Sequence, residues 1–313
     1  MSWHGSALQV AGNALFDGPF NDLWPLVAAP ALAALISDRT ARQLPRAAAM
    51  SLPAALLAAA PGLAAIAVIV QAIDLGPVIT WRGVVTHWIT PLAAGALAVW
   101  ALARACARQA EVGRLFAAST SPSDRLARAA ARLGLRARQL ASDEKECFVA
   151  GVLRPTVFVS RGALRRLNDE ELEAALCHER AHVEGRDTAW LMTLSLLRDL
   201  APFGRGVALE AFRAARETRA DRCAAASAGP LSLAGALVAL ATPTAAVAAV
   251  LPMARGDSLR WRMQALLDGE AATASAPGRI WARTIAGVAA SAALIAWPAI
   301  QWQMMMIFCD SVL

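Results

Sequence analysis

The chain is poor in charge and almost devoid of lysine. Asp, Glu, Lys and Arg make up 17% of its 313 residues, and Lys145 is the only lysine. Ordinary soluble domains carry about 25% charged residues, and a mainly disordered chain carries more charge and far less apolar surface than this. Cysteine is sparse too. Cys106, Cys147, Cys177, Cys223 and Cys309 are scattered and no two form a CxxC, which argues against a disulfide framework or a thiolate zinc knuckle. Buried free thiols are the expectation. The first 21 residues have no basic n-region and no clean cleavage site, so a cleaved signal peptide is not expected. No internal repeat is visible.

Apolar sequence fills the space. Hydrophobic residues reach 57% and the mean hydropathy is +0.45, above the 45–50% typical of soluble domains. Residues 20–36, 52–73 and 84–103 form long apolar stretches, and 284–308 forms a fourth. A span needs about 20 residues to cross roughly 30 Å of hydrocarbon, so four transmembrane helices are expected, kinked where Pro25, Pro30, Pro53, Pro61 and Pro91 fall. The formal charge of +6 and pI of 9.9 come from arginines that lie beside these stretches, a placement that reads as membrane topology and not as nucleic-acid binding. Arg39, Arg42 and Arg46 follow the first stretch, Asp74–Arg82 is neutral, and Arg104, Arg108 and Arg114 follow the third. Both termini are therefore expected outside and the long middle region in the cytoplasm. The Ala/Arg-rich composition fits a bacterial, GC-rich source, hence a multi-pass inner-membrane protein. The expected domains are 1–104 with three spans, 105–278 in the cytoplasm, and 279–313 with the last span.

The middle region carries different signals. Arg125–Leu133 reads as a helix ended by Gly134, Leu135–Ser142 as a loose strand, and Cys147–Ala150 and Thr156–Ser160 as strands joined through Gly151 and Pro155. Gly162–Leu167 reads as a short helix. Asn168 caps a stronger one through Val183, because Glu171 stands where a capping box needs it, and Gly185 ends it. Thr188–Phe203 reads as a packed helix or one that grazes the membrane, since Arg198 and Asp199 are costly at a bilayer centre. Leu231–Met253 reads as two helices split at Thr242-Pro243-Thr244.

That strong helix contains His178-Glu179-Arg180-Ala181-His182, an HExxH that is expected by chance on the order of 0.002 times in such a chain. Residues four apart share a helix face, so both imidazoles can address one ion. Zinc takes neutral imidazole at about 2.0–2.1 Å and keeps a position open for water when three protein groups hold it. Glu179 can bond that water, take its proton and return it to the leaving amine. The third ligand must come from elsewhere. Glu217, with Asp221 one turn later, is the best candidate: the first would complete His2Glu coordination and the second would fix a histidine tautomer. The competing reading is a solvated face paired with Arg213, Arg216 or Arg222; Glu210, Asp199 and Glu184 are poorer ligand candidates. Cys177, beside His178, reads as a small buried hydrophobe. Thr156–Ser160 or Cys147–Ala150 could offer a sheet edge to a peptide.

Gly151-Val-Leu-Arg-Pro-Thr-Val-Phe-Val-Ser160, Glu170-Glu171-Leu172, Cys177-His-Glu-Arg-Ala-His-Val183 and Arg216-Glu-Thr-Arg-Ala-Asp221 resemble the BlaR/MecR-type antirepressor membrane metallopeptidases, gluzincins related to HtpX-like and CAAX prenyl proteases. The resemblance covers most of 100–270, including Arg260-Trp-Arg-Met-Gln-Ala-Leu-Leu267. It implies zinc held by His178, His182 and Glu217, Glu179 as general base, and Asp221 orienting a histidine. The implied fold is a mainly α membrane protein with an inserted cytoplasmic α+β gluzincin-type peptidase domain. Its antibiotic-sensing members continue into an extracellular penicillin-binding domain, whereas this sequence reaches Leu313 just after its fourth expected span; no such domain, and no β-lactam sensing through it, is expected here.

The expectation is a zinc-dependent membrane endopeptidase acting on a protein or peptide, with a transcriptional repressor as one substrate class and a separate sensor as a partner. Direct nucleic-acid binding is not expected. A non-proteolytic membrane signalling or scaffold module and an HtpX-like quality-control protease are the alternatives that the residues leave open.

Overall fold

The computed structural model describes residues 19–45, 50–74, 90–201, 203–241, 259, 262–264, 266 and 278–293. Three helices come first: α1 (Pro19–Ala41), α2 (Ser51–Asp74) and α3 (Thr90–Ala118). Then follow β1 (Ser119–Thr120), α4 (Asp124–Arg132), β2 (Ala137–Leu140), β3 (Cys147–Ala150), β4 (Thr156–Ser160) and α5 (Arg161–Arg166). The remaining elements are α6 (Asp169–Glu184), α7 (Asp187–Leu200), α8 (Val207–Ala228) and α9 (Pro230–Leu240). Residues 278–293 are also helical.

The sheet runs β1-β2-β4-β3. β2 and β4 are parallel, with Ala137 opposite Val157; β3 and β4 are antiparallel, with Phe148 opposite Phe158. The β3–β4 connection turns at Gly151, whose φ is +97° and where a Cβ would meet the Arg154 carbonyl at 2.8 Å, so only glycine fits without strain. Strand alternation sends Cys147, Val149, Val157 and Val159 to one face, where they pack with Leu172 and Leu176 of α6. Phe148, Ala150 and Phe158 go to the other, under Val112 and Phe116 of α3. With both faces covered, β3 and β4 read as continuous apolar runs. Of the two strands expected to offer an edge, β4 lies inside the sheet and β3 lies at its rim.

The N-terminal helices do not stand apart. Ala54, Ala55, Leu57 and Ala58 of α2 share a core with Leu194 of α7 and Ala208, Leu209 and Phe212 of α8. Asp38 on α1 is buried, and its carboxylate accepts the backbone N–H of Arg205 at 2.5 Å and of Val207 at 2.8 Å. The residue before α8 is Gly206, which has no side chain to cap it; a carboxylate from another helix performs the capping that orphan N–H groups require. The boundary expected at 104/105 falls inside α3, which runs unbroken from Thr90 to Ala118.

Among the described residues, no helix is long and apolar enough to cross a membrane. The spans expected at 20–36, 52–73, 84–103 and 284–308 are not met there. α1 turns polar at Asp38 and Arg39, α3 continues into Arg104, Arg108, Glu111 and Arg114, and 84–89 and 294–308 lie outside the described residues. The same helices nevertheless expose Leu35, Leu52, Leu63, Leu92, Val99, Trp100 and Leu102. Cys147 and Cys177 are buried free thiols as expected, whereas Cys106 and Cys223 are exposed; Cys309 lies outside the described residues. Of the two helices expected over 231–253, the first is α9, which ends at Leu240, and the second lies outside the described residues.

Candidate metal centre

Helix α6 begins where the capping box places it. The Asn168 side chain accepts the Glu171 N–H at 2.9 Å, and the Glu171 carboxylate accepts the Asn168 N–H at 2.9 Å. Asp169, Glu170 and Glu171 in the first turn suit the positive end of the helix dipole. The chain leaves the helix at Gly185 and reverses through Arg186, whose φ is +50°. Gly185 leaves room for guanidinium groups: a Cβ there would meet Arg216 Nη2 at 2.1 Å and Arg219 Nη2 at 2.3 Å. The reversal starts α7 at Asp187, beside the turn that carries His182. Against α6 lies α8, whose fully buried Ala224 packs into the same core as Leu172, Ala175 and Leu176 of α6. Glu217 and Asp221, four residues apart, share the face turned to α6.

Two histidines and one carboxylate converge between the helices. His178 Nε2 lies 3.1 Å from His182 Nε2, and each lies 3.5 Å from an oxygen of Glu217. The other ring nitrogens face outward to carboxylates. His178 Nδ1 is 3.0 Å from Asp221 Oδ1, and His182 Nδ1 is 2.6 Å from Asp187 Oδ2. In the neutral rings those contacts favour the tautomer whose Nδ1–H is directed at the carboxylate, which leaves both Nε2 lone pairs pointing inward. In that tautomer two imidazole lone pairs and the Glu217 carboxylate, one oxygen of which Arg262 Nη1 also reaches at 3.0 Å, converge on one point, an arrangement suited to a cation. A tetrahedral ion with bonds of about 2.0–2.1 Å sets its ligand atoms about 3.3–3.4 Å apart, close to the separations found. His178, His182 and Glu217 could thus hold a metal ion.

Guanidinium groups support both outward carboxylates. Arg262 donates Nε–H to Asp221 Oδ2 at 2.7 Å, bonds Asp221 Oδ1 through Nη2, and sets Nη1 3.0 Å from Glu217 Oε2. Its side chain is only 2% exposed. On the other side Arg216 donates to Asp187 Oδ1 at 2.6 Å, and Arg219 approaches Asp187 Oδ2 at 3.3 Å. Arg216 also donates to the Gly185 carbonyl at 2.9 Å.

The charges follow from this wiring. Burial pushes the Asp221 carboxyl up, but Arg262 and His178 outweigh it and hold it well below its ordinary range. Glu217 is lowered in the same way, burial being overcome by Arg262 and the two histidines. Asp187 is lowered against burial by His182 and Arg216. Burial would lower His178; the bonds to Asp221 and Glu217 raise it to about 9 with no ion present. Arg262 is desolvated, yet Asp221 and Glu217 hold it charged. Glu179 goes the other way, raised by burial against the pull of the histidines. Both of its carboxylate oxygens are buried without a hydrogen-bond partner among the described residues.

The structure brings together His178, His182 and Glu217, with their ligand atoms within 4.8 Å of one another, and sets Asp221 behind His178; Glu179 is fully buried on the same helix as the histidines. The other acids considered lie elsewhere: Glu184 pairs with Arg180, Glu210 with Arg213, and Asp199 with Arg108. Glu217 and Asp221 form no solvated face with Arg213, Arg216 or Arg222; their cation is Arg262. Sequence reasoning missed Asp187 and Arg262. Asp187, five residues past His182 and just beyond the terminating Gly185, was the more discoverable.

Residues 117–260 match the model of peptidase family M48. The matched stretch contains the sheet, the histidine helix α6 and the carboxylate helix α8, and ends just short of Arg262. It supports an M48 metallopeptidase without selecting the antirepressor subtype. Comparison with curated proteins and with solved structures found no match.

Proposed function

We propose that the protein is a zinc-dependent endopeptidase whose zinc is held by His178, His182 and Glu217 and whose general base is Glu179. The observation that carries this reading is the convergence of two Nε2 atoms and a carboxylate, with a desolvated carboxylate on the same helix. Zinc supplies Lewis acidity and brings the pKa of a water from about 15.7 to about 7. Glu179, raised by burial, then suits a proton carrier: it takes a proton from the attacking water and delivers it to the departing amine nitrogen as the peptide bond breaks. Asp221 and Asp187 hold the two imidazoles in one tautomer, and Arg262 keeps Glu217 and Asp221 ionised and oriented. An extended substrate is proposed to add along the free edge of β3.

Membrane attachment through the N-terminal helices belongs to the same proposal, supported by the exposed apolar residues of α1, α2 and α3 and by the arginines beside them, which favour a cytoplasmic site. A repressor or other regulatory protein is the proposed substrate class, with a separate partner as sensor. The test is Glu179→Gln in the full chain. It should keep its zinc and lose about 10²–10⁴-fold in cleavage rate; undiminished proteolysis would remove the assigned base, and function in cells that survives Glu179→Gln would favour a non-proteolytic module.

A further inference from the structure

A narrow cleft, with a cavity volume of about 30 Å³, opens among the elements that flank the proposed centre. Its walls come from α3, the turn after β3, α7 and α8, and its polar groups include Arg108, Gln109, Thr188, Ser195 and Arg213. Two links tie it to the proposed reaction. Thr188 follows Asp187, the residue that holds His182, and donates its hydroxyl to the Gly151 carbonyl at 2.9 Å, so the cleft starts where the edge strand β3 ends. Arg213 stands one helical turn before Glu217 on α8. A peptide extended along β3 turns alternate side chains to one side, and the cleft lies within reach of that line.

The charge in the cleft is not balanced from within. Arg108 bonds Asp199 through Nη2, and Arg104 lies 3.9 Å from the same carboxylate, so two guanidinium groups share one acid. Arg108 Nη1 is buried without a hydrogen-bond partner among the described residues, although buried donors are rarely left unsatisfied. Arg213 has as its counter-ion Glu210, which is 58% exposed and open to water. The remaining wall is apolar, formed by Val112, Val152, Leu191 and Met192. An apolar pocket with a pair of guanidinium donors suits a side chain with a short methylene stem and a carboxylate.

We propose that this cleft is a specificity subsite that takes an acidic side chain of the substrate, with Arg108 and Arg213 as its carboxylate donors. The inference rests on the peptidase reading and narrows its substrate class. It is tested with the zinc-loaded full chain and fluorogenic peptides that move a single Glu through each position around the scissile bond, each paired with its Gln counterpart and prepared with free and amidated C-termini. At one position Glu should exceed Gln by about tenfold or more in kcat/KM, the scale of a charge-assisted hydrogen bond, and mainly through KM. In Arg213→Met that Glu-to-Gln ratio should fall towards one, and in Arg213→Glu the preference should pass to Lys or Arg. Arg108→Met leaves Asp199 with Arg104 alone, at 3.9 Å, and can loosen α3 from α7, so Arg213 is the deciding position. An effect that follows only the free C-terminus assigns the carboxylate to the chain end and overturns the side-chain subsite. Equal Glu and Gln rates everywhere overturn it, as does an Arg213-dependent requirement for phosphatidylglycerol vesicles with no Glu preference. Should the wild type cleave none of the peptides, the peptidase reading is what fails. Fluorescence anisotropy of the Glu and Gln peptides on Glu179→Gln protein then decides the subsite: Arg213-dependent preference for Glu supports it, and equal binding overturns it.

Discussion

The two histidines of the centre are held by parallel means from opposite sides, and the sides differ in where their parts come from. His178 rests on Asp221, which sits on Arg262, so its support spans α8 and a segment beyond α9. His182 rests on Asp187, which sits on Arg216 and Arg219, so its support is the turn that ends its own helix plus α8. The first side has one fully buried guanidinium shared by two carboxylates; the second has two guanidinium groups on one carboxylate, 12% and 25% exposed. A buried charge pair is costly to break because its survivor stays desolvated. The single-arginine side should therefore be brittle and the two-arginine side tolerant.

Substituting the arginines breaks the comparison most forcefully. Arg262→Met leaves Glu217 and Asp221 buried without their cation and should cost about 3–5 kcal/mol in chemical denaturation. Arg216→Met should cost clearly less, because Arg219 remains on Asp187. Equal losses would mean the sides are equivalent. Next come the carboxylates themselves: Asp221→Asn and Asp187→Asn should each weaken zinc about 10–100-fold in competition with a chelator. Unchanged affinity in Asp187→Asn would show that the short-range contact to His182 does not orient the ring.

A pH series sharpens the His178 side. In metal-free protein its pKa is raised to about 9 from an unfolded value of about 6.5. A raised base contributes stability that is fully present below the unfolded value and lost as pH rises through the folded one. The melting temperature of the metal-free protein should fall as pH climbs from 6.5 towards 9, and Asp221→Asn should flatten that fall. Zinc binding runs oppositely, strengthening with pH as the ring gives up its proton. The smallest effect belongs to the cap that α1 lends to α8. Asp38→Ala should lower stability by about 0.5–2 kcal/mol, the range of an N-cap loss, while Asp38→Asn should recover part of it.

The same contrast explains what the sequence made legible. Local chemistry declared itself: the Asn168–Glu171 capping box, the HExxH spacing, the two apolar runs at 147–150 and 156–160, and the four-residue step from Glu217 to Asp221 each depend on residues within one turn or strand. Partners brought in by tertiary packing did not. Arg262 lies 41 residues past Asp221, and although its stretch 260–267 belongs to the family resemblance, nothing local assigns its guanidinium to Asp221 and Glu217. Asp38 reads as one loop charge among arginines until α8 is set beside α1. Hydropathy suggested spans, but it carries no information on helix packing, and α2 buries Ala54, Leu57 and Ala58 against α7 and α8.

The central claim is that one divalent ion is held by His178, His182 and Glu217. Zinc content of the purified full chain, titrated against a chromophoric chelator in wild type and in the His178→Ala/Glu217→Gln double variant, tests it most directly. The account predicts one equivalent in the wild type and none in the variant. Equal zinc in both proteins, or none in the wild type, would contradict it.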